Sequence, residues 1–142
     1  MKSLRIAVQM DPIEKMIVNH DTSLALMVEA QSRGHEIWWW TPNDVFYDTG
    51  VVKAHARQVS VSLSETKHYE TLSSAIRPVD EFDVVLVRQD PPFDMGYVSN
   101  TYLLELVKTL VINPPRGIRN ITEKMSILQF PKLTPTTWVG RD

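Results

Sequence analysis

A chain of 142 residues, 43% hydrophobic and 23% charged, has the make-up of one globular domain, and at this length roughly 70% of the unfolded surface is buried on folding, so neither disulfides nor a structural metal is needed. The absence of cysteine excludes a disulfide framework, a thiolate zinc site and a cysteine nucleophile. Fifteen basic residues against 17 acidic ones leave a net charge of -2, which argues against nucleic acid as the main partner.

No apolar run approaches the ~20 residues of a membrane span. Met1 to Arg5 lead directly into a strand-like run without a small-residue cleavage site, so the chain reads as cytoplasmic.

Leu4 to Met10 is a continuous, largely apolar run of strand length, suited to a strand covered on both faces. Asp21, Thr22 and Ser23 are helix-capping residues, and Leu24, Met27, Val28 and Gln31 follow at helical spacing until Gly34. His35 to Trp40 is a second strand. Strand, helix and strand at this length form a βαβ unit with parallel strands. The consecutive Trp38, Trp39 and Trp40 alternate faces, so two cover one side of the sheet and one the other. Core or interface packing is their expected role.

Val45 to Tyr47, the turn residues Asp48-Thr49-Gly50, and Val51 to Leu63 read as a hairpin excursion. Asp83 to Arg88 carries four consecutive apolar residues and is expected to sit centrally in the sheet. Val98, Tyr102, Leu103, Leu106, Val107 and Leu110 predict an amphipathic helix, after which Val111 to Asn113 forms a short strand. Asn120 and Glu123 stand at capping-box spacing ahead of a last helix. The fold class is therefore α/β, a mostly parallel sheet of about four strands flanked by helices, with a β-hairpin extension.

Each candidate parallel strand ends in a polar residue followed by proline: Asp11-Pro12, Thr41-Pro42, Asp90-Pro91-Pro92 and Asn113-Pro114-Pro115. Proline stops a strand sharply, because it donates nothing to the ladder and holds the preceding residue extended. Open parallel sheets bind ligands outside the carboxyl ends of their strands, where Asp11, Thr41, Arg88, Asp90 and Asn113 would converge. The segment Arg88-Gln89-Asp90-Pro91-Pro92-Phe93-Asp94 sets one cation and two carboxylates directly after the best strand. A bland reading stands beside this one: an Arg88 to Asp90 or Asp94 ion pair that pins the loop, with Asp94 capping the next helix.

Glycines at 34, 50, 96, 117 and 140 are too far apart for a phosphate-cradling loop. The four histidines lack metal-ligand spacing, and no Gly-x-Ser-x-Gly elbow is present.

Met10-Asp11-Pro12-Ile13, Ala54-His55-Ala56-Arg57, the string from Arg88 to Asp94, Asn113-Pro114, and Asn120 to Lys124 followed by Leu133-Thr134-Pro135 resemble, in that order, bacterial glutathione synthetase. The resemblance implies a Rossmann-like pre-ATP-grasp substrate domain over residues 1–122, with residues 123–142 beginning an ATP-grasp region and Thr136 to Val139 a strand leading into it. It implies a ligase that joins γ-glutamylcysteine to glycine through an acylphosphate, using ATP and magnesium. Asp11, Arg88, Asp90 and Asp94 match the family motif and are expected to bind the peptide substrate, without a division of roles among them. Lys124 resembles the lysine that approaches ATP phosphate. Catalytic and metal-binding residues are expected outside this chain, which alone should be inactive.

Two other classes compete with this reading. One is a non-catalytic α/β module, receiver-like or binding a small molecule; a receiver would need an acidic pair after the first strand and a lysine after the last. Asp11-Pro12 and Asn113-Pro114 stand there instead. A subunit-assembly domain is the other, and the tryptophan-rich strand and the hairpin lead us to expect a homo-oligomer.

Overall fold

The computed structural model describes residues 2–121 and 124–140. In chain order the elements are β1 (Arg5–Gln9), α1 (Thr22–Ser32), β2 (Glu36–Trp40), β3 (Val45–Asp48), β4 (Val51–Val61), β5 (Tyr69–Pro78), β6 (Val84–Val87), α2 (Met95–Glu105), β7 (Leu110–Ile112) and α3 (Pro115–Asn120). The four expected parallel strands lie side by side as β2-β1-β6-β7. Val8 of β1 stands between Trp39 of β2 and Leu86 of β6. β6 is thus internal, as its apolar run requires.

The antiparallel part is larger than a hairpin. β4 pairs with β2 through Arg57 to Val59, with β3 through Val51 to Ala54, and along its opposite edge with β5. The sheet therefore has seven strands and is mixed, where about four strands plus a hairpin were expected. β5 escaped the sequence pattern because it alternates nothing: Glu70 to Ile76 are all exposed. A strand at the margin of a sheet needs no apolar face to form its ladder.

The turn between β3 and β4 follows the sequence. Thr49 and Gly50 both have positive φ, 46° and 92°, the backbone of a two-residue turn whose twist matches its strands. Gly34, at φ 82°, closes α1 in the left-handed conformation that glycine adopts without steric cost.

Each face of the sheet carries its own core. One packs Trp38, Trp40, Val85, Val87 and Phe82 beneath Leu104 of α2. The other packs Ile6, Val8, Ile37 and Trp39 against Leu24 and Met27 of α1. The tryptophans alternate as expected, and all three are at most 3% exposed. Phe82 meets Trp38 edge-on at 5.7 Å and Trp40 at 5.2 Å. β4 serves both cores: Val52, Ala54 and Ala56 face the first, Val59 and Val61 the second.

Three boundaries differ from the sequence reading. α2 stops at Glu105 and does not run to Leu110, which opens β7. The cause is Asp80, whose Oδ1 accepts from the backbone N–H groups of Lys108, at 2.7 Å, and Thr109, at 3.3 Å, and holds that stretch as a turn. Asn120 is the last residue of α3, not the cap of a later helix, because Pro115 starts the helix early with a ring fitted to its first turn. The other half of the expected capping box, Glu123, lies outside the described residues. Thr136 to Val139 has no ladder partner among the described residues and forms no strand.

Candidate functional site

The site is built on the carboxyl ends of β1 and β6. The backbone N–H of Arg88 donates to the Gln9 carbonyl at 2.8 Å, which extends the ladder one residue past β6. The Asp90 N–H then donates to Asp11 Oδ2 at 2.7 Å, tying the loop after β6 to the loop after β1. Beneath them a buried polar chain fixes both loops: Trp40 Nε1 donates to Gln9 Oε1 at 3.2 Å, and Gln9 Nε2 donates to Gln89 Oε1 at 2.8 Å. Gln9 is 1% exposed, so its amide survives burial by satisfying these two partners. Sequence reasoning passed over Gln9 and Gln89. The available signal was Gln9 itself, a polar residue closing the apolar stretch Ile6-Ala7-Val8 within the largely apolar run from Leu4 to Met10.

Asp11, Arg88 and Asp90 line one polar crevice of about 360 Å³, together with Lys15, His20 and the first residues of α1. Asp21 caps that helix, its Oδ1 accepting from Ser23 N at 2.7 Å and Leu24 N at 3.1 Å. The capped turn presents Thr22 and Ser23 to Arg88: Nη2 donates to Thr22 Oγ1 at 2.6 Å and Nε to Ser23 Oγ at 3.2 Å. Among the described residues no carboxylate lies within 4.0 Å of the Arg88 guanidinium. The loop-pinning ion pair to Asp90 or Asp94 is absent there. Neutral hydroxyls orient the cation without neutralising it, the arrangement a site needs to receive an anionic group.

Asp94 performs the capping role. Its Oδ1 accepts from Tyr97 N at 2.9 Å at the start of α2. It borders an adjoining cleft of about 620 Å³ together with Asp11, Asp90, Asn43 and Asn100. Asn113 lines a third, more apolar cleft of about 460 Å³ with Phe93, Tyr97 and Ile118. Thr41 turns away from the crevice to share Asp44, whose Oδ2 accepts from its N–H and its hydroxyl, each at 2.8 Å. Lys124 is exposed and borders none of these three clefts. Of the convergent residues expected from strand ends, the structure thus gathers Asp11, Arg88 and Asp90 most closely.

Tyr97 is a further residue of the site, one that the sequence reading did not single out. It borders both the second and third clefts. Burial pushes its phenol above the usual tyrosine range, the negative charges of Asp11 and Asp90 push the same way, and Arg88 opposes them. Among the described residues no three His, Asp or Glu side chains are grouped as a metal site.

A cation and two carboxylates line a crevice outside the carboxyl ends of parallel strands in a mixed sheet flanked by helices, and the chain is an α/β domain with a polar crevice at that end. The comparisons narrow this. Residues 4–119 match the family model of the prokaryotic glutathione synthetase N-terminal domain, and the chain belongs to that family. It is 43% identical to the glutathione synthetase of Brucella melitensis over 142 residues, covering 99% of this chain and 46% of that protein. It is 40% identical to the glutathione synthetase of Rhodopseudomonas palustris, covering 99% and 45%, and 36% identical to that of Pseudomonas syringae pv. tomato, covering 98% and 44%. The chain spans less than half the length of these curated relatives. Among the described residues no helix is long and apolar enough to cross a membrane.

Proposed function

We propose that this chain is the peptide-substrate domain of a glutathione synthetase, a ligase that joins γ-glutamylcysteine to glycine. The observation that carries the reading is Arg88: a guanidinium set by the sheet ladder, steadied by two hydroxyls, and facing two carboxylates across one crevice. A γ-glutamyl group carries an ammonium and a carboxylate on one carbon. Arg88 would hold the carboxylate through charge-assisted hydrogen bonds, and Asp11 and Asp90 would accept from the ammonium. Asp94 would bound the adjoining cleft through the oxygen not engaged in capping α2.

In this reading residues 1–122 form the substrate domain and residues 123–142 begin the ATP-grasp region. ATP, with magnesium, would activate the dipeptide carboxylate by phosphorylation, held by the portion of the relatives that lies beyond this chain. Lys124, exposed at the junction, would reach toward its phosphates.

Kinetics of the whole enzyme test the assignment. Arg88→Ala removes bonds worth roughly 1.5–3 kcal/mol each, so kcat/KM for γ-glutamylcysteine is expected to fall about tenfold or more while the KM for ATP stays near that of the parent. The melting temperature is measured on the same samples. An unchanged dipeptide KM together with a lowered melting temperature rejects substrate binding and leaves Arg88 as a loop pin on Thr22 and Ser23.

A further inference from the structure

We propose that the end of the β4–β5 hairpin is a clasp that holds one wall of the Arg88 crevice in place, with His68 as its positioning residue. The wall is the stretch between β1 and α1, from which Asp11, Lys15 and His20 line the crevice. Its one regular element is a single 3-10 turn, Ile13–Lys15. Local structure of this kind opens easily unless contacts from elsewhere hold it. The hairpin supplies them from 55 positions along the chain. His68 Nε2 donates to the Ile13 carbonyl at 2.8 Å, the Tyr69 hydroxyl donates to Glu14 Oε1 at 3.2 Å, and Glu65 accepts from Asn19 Nδ2. The clasp is itself firmly mounted. Gln31 of α1 donates to the Val61 carbonyl and accepts from the Val61 N–H, each at 2.8 Å, and the Ser62 N–H donates to the His68 carbonyl at 2.9 Å.

Of the three contacts, that of His68 carries most of the hold. The Tyr69 and Asn19 bonds are exposed to water, whereas the His68 bond is partly buried and ends on Ile13, which is sealed in the second core. A hydrogen bond shielded from water is electrostatically stronger than an exposed one. Ile13 stands midway between Asp11 and Lys15, so a shift of its carbonyl shifts both crevice residues. Asp11 Oδ2 accepts from the Asp90 N–H, which passes the shift on to the loop after β6. A carbonyl only accepts, so Nε2 of His68 carries a proton in either charge state of the ring. The effect on binding rests on the reading of this crevice as the γ-glutamylcysteine site; the clasp itself does not.

Amide hydrogen exchange and steady-state kinetics on the whole enzyme test the proposal. In His68→Ala, exchange at Lys15, Met16 and Asp90 is expected to quicken about fivefold or more while that of β1 and β6 stays at the parent rate. The KM for γ-glutamylcysteine should rise about fivefold, with kcat and the KM for ATP near those of the parent. His68→Gln keeps an N–H donor at the reach of Nε2 and should return both exchange and KM close to the parent values. Unchanged exchange at the three amides, or a quickening spread evenly over the sheet, overturns the clasp, as does a His68→Gln enzyme no closer to the parent than His68→Ala. Arg88→Ala is measured alongside. A dipeptide KM raised by Arg88→Ala but not by His68→Ala overturns the positioning role of His68. Local quickening in His68→Ala with a dipeptide KM that Arg88→Ala leaves unchanged overturns the substrate assignment and leaves the clasp standing.

Discussion

Asp44 shows how one carboxylate joins several parts of the fold. Its Oδ2 accepts from Thr41 at 2.8 Å, twice, and from Arg57 Nη1 at 2.9 Å, while Oδ1 accepts from Arg57 Nη2 at 3.2 Å. Arg57 in turn lies 5.0 Å from the centre of the Trp39 ring. Burial alone would raise the Asp44 carboxyl, but the bonds from Arg57 and Thr41 outweigh it and hold the group below its ordinary value of 3.8. A depressed carboxylate contributes stability that is fully present above the ordinary value and is lost as the pH falls through the folded one. Asp44→Asn is therefore expected to lower stability by about 2 kcal/mol at neutral pH, and to flatten the loss of stability below the ordinary carboxylate range. Urea titrations of both proteins at pH 7 and under acid conditions measure this, and equal losses in the two proteins across the acid range would show that Asp44 is not the group responsible. Thr41 and Asp44 stand at the spacing of a capping box, but nothing in the sequence placed Arg57 beside them, because that depends on the antiparallel pairing of β2 with β4. Asp94 is the opposite case, since its position after two prolines and before a helical run already marked it as a cap.

At the scale of elements, α1 is the part of the scaffold on which the crevice most depends. Its Asp21 cap sets the turn that offers Thr22 and Ser23 to Arg88. Asp21→Ala is expected to cost about 1 kcal/mol of stability. In the whole enzyme it should also raise the KM for γ-glutamylcysteine, by less than Arg88→Ala does, because the guanidinium remains but loses its fixed orientation. A melting-temperature change with no change in KM would separate the cap from the site. The parallel strands, α1 and the capped start of α2 were legible because burial on both faces and helix capping are local properties of a sequence. β5 was not, since a strand whose partner is supplied by β4 carries no apolar signature of its own. The end of α2 was hidden for a related reason: the apolar spacing continues through Leu106, Val107 and Leu110, and the residue that breaks it, Asp80, lies 28 positions away from Lys108. The crevice itself was legible in outline, because proline after a polar residue marks strand ends, yet Tyr97 borders the two neighbouring clefts through contacts that no local pattern encodes, and what Gln9 bonds beneath the loops is set by the packing of three strands.

At the scale of the whole molecule, residues 121–139 carry an unusual load of exposed apolar side chains, including Ile121, Met125, Phe130, Leu133, Trp138 and Val139. Leu133 is 83% exposed and Trp138 82%. A run of this kind is the mark of a surface meant to be covered, and the curated relatives have more than half their length to cover it with. The segment is also poor in phosphate-binding features: it has no glycine between Ile121 and Val139, and the five in the whole chain are scattered singly. Both points lead to one expectation. The 142-residue chain should bind a dye that reports exposed apolar surface, such as anilinonaphthalene sulfonate, with a Trp138→Ser variant binding less of it, and should release no phosphate from ATP above a no-protein control. The full-length enzyme should behave in the reverse way, with little dye binding and ATP turnover that depends on both γ-glutamylcysteine and glycine. The two measurements fail independently. Dye binding that persists undiminished in the full-length enzyme would mean that the rest of the protein leaves this surface bare, whereas phosphate release by the short chain would place a complete phosphate-handling site within it and overturn the division of labour proposed between the two halves.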